Sequence, residues 1–261
     1  MNEFEHYGLT ITGSSSVERP SQNESLTRPS DIRECLFNQL RSAYSGYQAI
    51  EEHLMYSEDR RMTEDQVGNE LHYWLTKRRL DLVFSAIEAN PYLQFNLVAI
   101  PNVLASSNQI TNLAREFSRN HLYETNIWNN FYSKYSAKEL SGTRKDDENN
   151  VVFSLIPDKL NPTIYGTVQE IRGKLRELQQ IYPEIRVPSV LESIAYWYIL
   201  KAQNNNAIIN FESTYIRHFD LPEKRFYAWK CVPDTFIDNN GRPCMDNSNI
   251  DHPSYARIAI G

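Results

Sequence analysis

Two runs of aliphatic, β-branched and aromatic residues stand out in the hydrophobic pattern, and each predicts a buried strand. One run covers residues 93–100 and the other covers 151–156, where Pro157 ends it. Neither run alternates strictly between apolar and polar positions, so both are expected to be inner strands covered on two faces. We predict that the two strands are neighbours in one sheet and run parallel, because a helical pattern follows each of them.

Elsewhere, apolar residues recur at steps of three and four, which predicts amphipathic helices. Residues 30–90 are expected to form a helical pair. Thr167 with Glu170, and Ser189 with Glu192, are capping boxes that predict the starts of two later helices.

The helices that begin near Ser107 and near Thr167 are each expected to pack on the sheet through one apolar stripe. The residues that define these stripes are Leu113 with Phe117 in the first helix and Ile171 with Leu175 in the second.

Beyond residue 204 the pattern changes to short apolar stretches typical of strands. Residues 226–232 predict one strand that ends at Pro233, because proline lacks an amide hydrogen for the ladder. The Asn240-Gly241 pair predicts a hairpin turn, and residues 255–260 predict a closing strand.

The predicted fold class is therefore α/β or α+β. It comprises a mixed central sheet with two parallel inner strands, an N-terminal helical pair and a short antiparallel C-terminal extension. Residues 1–29, rich in small and polar residues, are expected to form a mobile tail. Residues 30–261 are expected to form a single α/β domain made of a helical pair (30–90), strand–helix units (91–203) and a β-rich part (204–261).

Composition narrows the classes of function. The chain has 261 residues and a net charge of -6, which argues against a protein that wraps nucleic acid, so nucleic acid is not expected as a partner. No apolar run is long enough to cross a membrane, and the acidic first residues do not form a secretory signal. The three cysteines favour a reducing compartment, and a cytoplasmic location is expected.

The densest group of reactive side chains lies in the C-terminal part. Two histidines with several aspartates suggest either a metal site or an acid–base pair, and the nearby arginines are candidates for ligand binding. Asp158 follows a predicted strand directly, where α/β folds often place ligands, although a turn residue that satisfies its own backbone is the expected explanation. The candidate catalytic residues are His218, Asp220 and His252, and the candidate ligand-binding residues are Arg217, Asp158 and Arg257.

No metal site or cofactor is expected. Cys231, Cys244 and His252 offer three zinc-binding groups, but a fourth ligand at a recognisable spacing is missing. Glycine is scarce at nine residues, and no glycine-rich phosphate-binding loop follows either predicted strand.

Two further clusters have both a structural and a functional explanation. Residues 77–79 (Lys-Arg-Arg) are either one face of a solvated helix or a phosphate-binding patch. The aromatic residues in 126–132 are either packed in the core or form a stacking platform for a base or a sugar. In both cases the structural explanation is the expected one.

Without a catalytic motif, the chain is expected to be a non-enzymatic binding or structural protein, with protein partners or self-association. The alternative is an enzyme without a standard signature, most plausibly a hydrolase that uses the histidines and aspartates of the C-terminal part. The sequence leaves the choice between the two open.

Overall fold

The structure is a computed structural model that describes residues 29–54, 61–77, 95–118, 131–142, 149–158, 161–203, 209, 214–238, 241 and 243–261. Of the predicted N-terminal tail, residues 1–28 lie outside this set. Residues 78–79 of the basic cluster and 126–130 of the aromatic cluster also lie outside it.

The described residues form helices and strands in mixed order, as the predicted fold class requires. The helices are α1 (Pro29–Asn38), α2 (Leu40–Leu54), α3 (Glu64–Lys77), α4 (Ser107–Ser118), α5 (Ala137–Ser141), α6 (Val168–Ile181) and α7 (Val190–Gln203). The strands are β1 (Phe95–Pro101), β2 (Val151–Pro157), β3 (Asn161–Gly166), β4 (Ile185–Arg186), β5 (Ile216–Arg217), β6 (Lys224–Phe226), β7 (Trp229–Ile237), β8 (Pro243–Asn249), β9 (Ser254–Ala256) and β10 (Ala259–Ile260).

The central sheet has the strand order β1-β2-β10-β4. The two strands predicted first are neighbours in it, but they run antiparallel, with Leu97 opposite Leu155. The parallel prediction was therefore wrong, and the central sheet has only antiparallel pairs among the described strands. The physical reason is that burial on two faces determines how a strand is covered and leaves its direction open.

Both faces of this sheet are nevertheless buried, as the two apolar runs predicted. One face contributes to a core that includes residues of α2, α3 and α6, and the other contributes to a core that includes residues of α4 and α7. The strand residues of the first face are Leu97, Ala99, Val151, Phe153 and Leu155, and those of the second face are Val98, Ile100, Val152 and Ile156.

Strand β1 was predicted to be an inner strand, but within the described residues it pairs with β2 alone. Helix α2 packs against it, and the Oε1 atom of Gln39 accepts a hydrogen bond of 2.8 Å from the Leu97 amide. An edge covered in this way is protected from pairing with another chain.

Helix α2 also crosses α7 closely, and Gly46 makes this approach possible. A Cβ atom on Gly46 would lie 2.9 Å from the Ala195 carbonyl oxygen and 3.0 Å from a side-chain carbon of Ile199. The absence of a side chain at Gly46 therefore allows the two helices to approach each other closely.

The helix starts follow the sequence signals. Thr167 with Glu170 forms the predicted capping box at the start of α6. At the start of α7, Glu192 accepts a hydrogen bond of 2.7 Å from the Ser189 amide, and the Ser189 hydroxyl accepts one of 3.2 Å from the Glu192 amide. These local signals are reliable because both partners lie within one turn of the chain.

The two predicted helix stripes are buried. Ile171 and Leu175 of α6 belong to the core on one face of the sheet, and α6 contacts β3 and β4. Leu113 and Phe117 of α4 belong to the core on the other face, where α4 contacts α7 and α2. Helix α4 was expected to pack directly on the sheet, but it packs mainly on the helices α7 and α2.

Truncation of Leu175 to Ala is expected to lower the free energy of unfolding by about 2–5 kcal/mol, because the side chain is only 5% exposed and its removal leaves a cavity. Urea unfolding measures the change. Gln180→Ala, on the exposed side of the same helix, should change the free energy by less than about 0.5 kcal/mol. Equal effects of the two variants would contradict the placement of α6.

The C-terminal part forms a second four-stranded sheet in which β7 pairs with β5, β6 and β8. The hairpin predicted at Asn240-Gly241 joins β7 to β8, and Gly241 has a φ of 73°. The predicted strand 226–232 is interrupted by a turn at Tyr227-Ala228, and residues 255–260 divide into β9 and β10. Strand β10 returns to the central sheet between β2 and β4, so the last strand is part of that sheet.

Pro233 does not end β7, contrary to the prediction. Its carbonyl accepts a hydrogen bond of 2.9 Å from the His218 amide. Pro233 has no amide hydrogen to donate to the His218 carbonyl opposite it. That carbonyl instead accepts a hydrogen bond of 3.2 Å from the Leu221 amide. Proline is tolerated here because β7 changes partner from β5 to β6 at this position.

Candidate functional site

His218, the first candidate catalytic residue, is buried behind β5, and both of its ring nitrogens have partners. Nδ1 lies 2.9 Å from the Pro188 carbonyl oxygen, and Nε2 lies 3.1 Å from the Thr235 hydroxyl. A carbonyl oxygen only accepts, so Nδ1 carries the hydrogen and Nε2 accepts from Thr235. Burial lowers the pKa of His218 to about 4, which keeps the imidazole neutral. These contacts join the start of α7 to the second sheet.

This burial predicts a pH dependence of stability. The unfolded chain binds a proton at His218 near its ordinary pKa of 6.5, and the folded chain binds it only near 4. Between these values the unfolded state holds more protons, so His218 makes the protein less stable as the pH falls. We expect a loss of about 2 kcal/mol between pH 7 and pH 5 from this group.

Urea unfolding of the wild type and of His218→Gln at both pH values tests this expectation. The variant should be less stable at pH 7, but its stability should fall by about 2 kcal/mol less on going to pH 5. His252→Gln, which changes an exposed histidine, should keep the wild-type pH profile. Identical profiles for His218→Gln and the wild type would contradict the assignment.

Arg217, a candidate ligand-binding residue, is buried in an ion pair with Asp234 of β7. Its Nε atom lies 3.1 Å from Asp234 Oδ1, and one terminal nitrogen donates to the His252 carbonyl at 2.8 Å. The other carboxylate oxygen of Asp234 accepts from the hydroxyls of Tyr215 and Ser248. Burial raises the pKa of Asp234 to about 6, against the opposing effect of Arg217 and both hydroxyls.

Arg257 is fully buried between β9 and β10. Its Nε atom donates to the Tyr215 carbonyl at 3.2 Å, and a terminal nitrogen donates to the Pro157 carbonyl at 2.6 Å. Burial lowers the pKa of Arg257, and Asp158 and Tyr196 act in the opposite direction. Among the described residues, the buried Oδ1 atom of Asp158 has no hydrogen-bond partner. Arg257 thus ties the end of β2 to β5.

The structure brings the three candidate ligand-binding residues into one region. Tyr215 connects two of them, because its carbonyl accepts from Arg257 and its ring lies 6.0 Å from the guanidinium of Arg217. Asp158 is coupled to Arg257 through its charge. Both guanidinium groups are occupied by internal acceptors, which suits a role in holding β2, β5 and β7 together.

The three candidate catalytic residues lie in different environments. His218 is enclosed, whereas Asp220 and His252 are exposed on separate turns. Partial loss of hydration raises the pKa of Asp220 to about 6, opposed by its own amide and by Arg186. Both ring nitrogens of His218 are held in internal hydrogen bonds, so its geometry gives no support to acid–base catalysis. The catalytic role and the hydrolase alternative stay predictions.

In the aromatic cluster 126–132, the two described residues are packed in the core. Phe131 and Tyr132 are fully buried, and the Tyr132 hydroxyl donates to the Asp234 carbonyl at 3.1 Å.

No helix among the described residues is long and apolar enough to cross a membrane. The same part of the chain contains no group of three histidine, cysteine, aspartate or glutamate side chains that could hold a metal ion.

Among the residues that the structure describes, the most exposed aromatic side chains lie at the turn between β6 and β7, which we name the 225–230 hairpin. Phe226 pairs with Trp229 and Arg225 with Lys230, so Tyr227 and Ala228 form a two-residue turn. Tyr227 is 82% exposed and Trp229 is 60% exposed. Tyr227 has a φ of 52°, a conformation that glycine usually supplies in such turns.

The base of this hairpin is firmly held. The ring of Phe226 lies edge-to-face against Phe131, with centroids 5.6 Å apart. Lys134 donates to the Arg225 carbonyl at 2.6 Å, and Lys224 lies 5.2 Å from the centre of the Tyr135 ring. The exposed residues of the hairpin are therefore presented on a fixed support.

A second surface feature is a polar cleft of about 510 Å³ beside α3, which we name the α3 cleft. Gln66, Asn69, Glu70 and Tyr73 of α3 line one side, and residues 149–150 line the other. Asn150 donates to Glu70 at 3.3 Å across the cleft. The cleft is lined by hydrogen-bonding groups with one carboxylate among them.

Sequence reasoning missed the 225–230 hairpin as a functional feature. The signal was present, because residues 224–230 read Lys-Arg-Phe-Tyr-Ala-Trp-Lys and combine three cations with three aromatic residues. In one continuous strand, Phe226 would lie on one face and Tyr227 with Trp229 on the other. The turn at Tyr227-Ala228 instead leaves two of the three rings at the surface.

Comparison of the chain with family models, with curated proteins and with solved structures gave no match, so the geometry described above is the basis on which function is inferred.

Proposed function

We propose that the protein is a non-enzymatic binding protein that engages a protein partner through the 225–230 hairpin. The observation that carries this proposal is the exposure of Tyr227 and Trp229 at a turn flanked by Arg225 and Lys230. Tyrosine, tryptophan and arginine are the residues most enriched among those that dominate binding energy at protein interfaces.

The conformation of Tyr227 supports the proposal. A side chain at positive φ costs about 1–2 kcal/mol relative to the ordinary helical conformation, and glycine would avoid most of that cost. Within the fold, the Tyr227 ring contacts Phe226, with centroids 4.7 Å apart, and is otherwise largely in solvent. A strained, exposed aromatic residue is retained more readily when it has a binding role.

The buried charged side chains also support the proposal. The buried charged groups of Arg217, Asp234 and Arg257 are engaged with one another or with backbone carbonyls. Such contacts stabilise a fold and leave the exposed hairpin as the feature best suited to binding.

Site-specific photo-crosslinking tests the proposal. A benzophenone amino acid placed at Tyr227, in cells that naturally make the protein, should give an adduct with a second protein molecule after irradiation. The same amino acid at Tyr165, another exposed tyrosine on β3, is the matched control and should give little adduct. Absence of an adduct at position 227, or equal adducts at both positions, would overturn the proposal.

A further inference from the structure

The 225–230 hairpin and the α3 cleft are complementary in charge. The hairpin presents Arg225 and Lys230 as a cross-strand pair, and Lys134 lies beside it. The chain as a whole has a net charge of -6, so this cluster of cations stands out on an acidic molecule. Arg225 and Lys134 are exposed, and the side chain of Lys230 is 61% exposed although it lies 3.5 Å from Glu223.

The α3 cleft offers the opposite charge. Glu70, in the middle of α3, is the one carboxylate among the described residues that lines it, and Glu64 and Asp65 in the first turn of the same helix lie outside the lining. Carboxylates at a helix N-terminus are favourable in themselves, but they also give this surface a negative potential. Gln66, Asn69 and Asn149 supply acceptors and donors that suit guanidinium and indole groups.

The walls of the cleft are already in place. Met62 lines the cleft, its amide donates to Glu51 at 2.9 Å, and its carbonyl accepts from Tyr44 at 2.9 Å. On the other side, Asn102 donates to the carbonyls of Asn149 and Asn150 at 2.9 and 2.8 Å. A surface that is held in this way can bind without first being ordered, which lowers the cost of association.

We propose that the 225–230 hairpin of one copy of the chain docks into the α3 cleft of a second copy. The Trp229 and Tyr227 rings enter the cleft beside Tyr73 and Met62, and Arg225 and Lys230 face Glu70 and its acidic neighbours. This inference rests on the proposed function, since it names the partner of the same hairpin.

The contact joins two different surfaces, so it is heterologous. An open assembly therefore has a free hairpin on the copy at one end and a free cleft on the copy at the other, and further copies can add until the rotation closes a ring. Because the contact is small and relies on exposed charges, association should depend on protein concentration and weaken as salt is raised.

Sedimentation equilibrium of the full chain tests the contact through complementation. Trp229→Ala removes the docking ring, and Glu70→Lys reverses the charge of the cleft. Each variant alone is expected to remain monomeric at concentrations where the wild type associates. A mixture of the two should form heterodimers, because the intact hairpin of the Glu70→Lys chain fits the intact cleft of the Trp229→Ala chain.

Matched controls separate this result from general effects of charge or aromatic content. Glu116→Lys makes the same charge change on the exposed side of α4, and Tyr165→Ala removes another exposed aromatic. Both should associate as the wild type does. A wild type that stays monomeric at about 0.5 mM and low salt, or association that survives Trp229→Ala and Glu70→Lys, would overturn the inference.

The outcomes also separate this inference from the proposed function. If the crosslinker at position 227 captures a different protein while the chain stays monomeric, the hairpin binds protein and the self-docking inference fails. If no adduct forms and the chain is monomeric, both fail. A self-adduct at position 227 that disappears in Glu70→Lys supports both.

Discussion

Replacement of Glu192 by Gln is expected to lower the free energy of unfolding by about 3–5 kcal/mol, among the largest effects of any single substitution in this chain. Glu192 is 1% exposed and receives two hydrogen bonds from Arg186, one of them at 2.7 Å. It also caps α7 by accepting from the Ser189 amide. The amide cannot neutralise Arg186, so the substitution leaves a largely buried cation without its main counter-charge.

Glu223→Gln is the matched control for this experiment. Glu223 pairs with Arg172 at 2.8 Å, but its side chain is 15% exposed, against 1% for Glu192, whereas the two arginines are equally exposed at 19%. Arg172 also keeps hydrogen bonds to the carbonyls of Phe219 and Leu221. We expect a loss of about 1 kcal/mol or less by urea unfolding. Losses of equal size for Glu192→Gln and Glu223→Gln would contradict the central role of the Arg186–Glu192 pair.

Asp234→Asn is expected to produce the second large effect, a loss of about 3–4 kcal/mol in the free energy of unfolding. Asp234 is 3% exposed and is the counter-charge of Arg217. Its carboxylate also accepts from the hydroxyls of Tyr215 and Ser248, and an amide cannot accept from all three donors at once. At least one donor would be left buried and unpaired.

Asp246→Asn is the control for that substitution, because Asp246 lies directly opposite Asp234 on β8 and is exposed. Its replacement should change stability by less than about 0.5 kcal/mol. Chemical unfolding at pH 8, where Asp234 is ionised, gives the cleanest comparison. A similar loss for both variants would mean that the Arg217–Asp234 pair is not the source of the effect.

The sequence predicted those features of the fold that depend on residues close to one another in the chain. The capping boxes at Thr167 and Ser189 and the buried stripe of α6 depend on residues within a few turns of one another. The apolar runs at 93–100 and 151–156 correctly indicated strands covered on two faces, which the structure shows as β1 and β2. Their relative direction depends on the path of the chain between them, which no short pattern records.

The predicted site shows the same limit. Arg217, Asp158 and Arg257 are close in the fold because Tyr215 and the end of β2 bring them together across long stretches of sequence. Their residue types suggested ligand binding. The sequence, however, does not distinguish a buried arginine that donates to backbone carbonyls from an arginine that binds a ligand. Only the partners at each nitrogen separate the two cases.

The hairpin was missed for a related reason. Residues 226–232 are mostly aromatic and apolar and therefore resemble a strand, and the positive φ at Tyr227 is not signalled by a glycine or an asparagine. The exposure of Tyr227 and Trp229 follows from this turn. Sequence patterns predict turns from the residues that usually form them, so a turn formed by other residues is found only when the backbone is known.

The most direct test of the account is the yield of the photo-adduct at position 227 in two further variants. If the hairpin is the binding surface, Trp229→Ala should abolish the adduct, and His252→Gln, which changes a candidate catalytic residue, should leave it unchanged. An adduct that persists in Trp229→Ala but disappears in His252→Gln would contradict binding through the hairpin and implicate His252 instead.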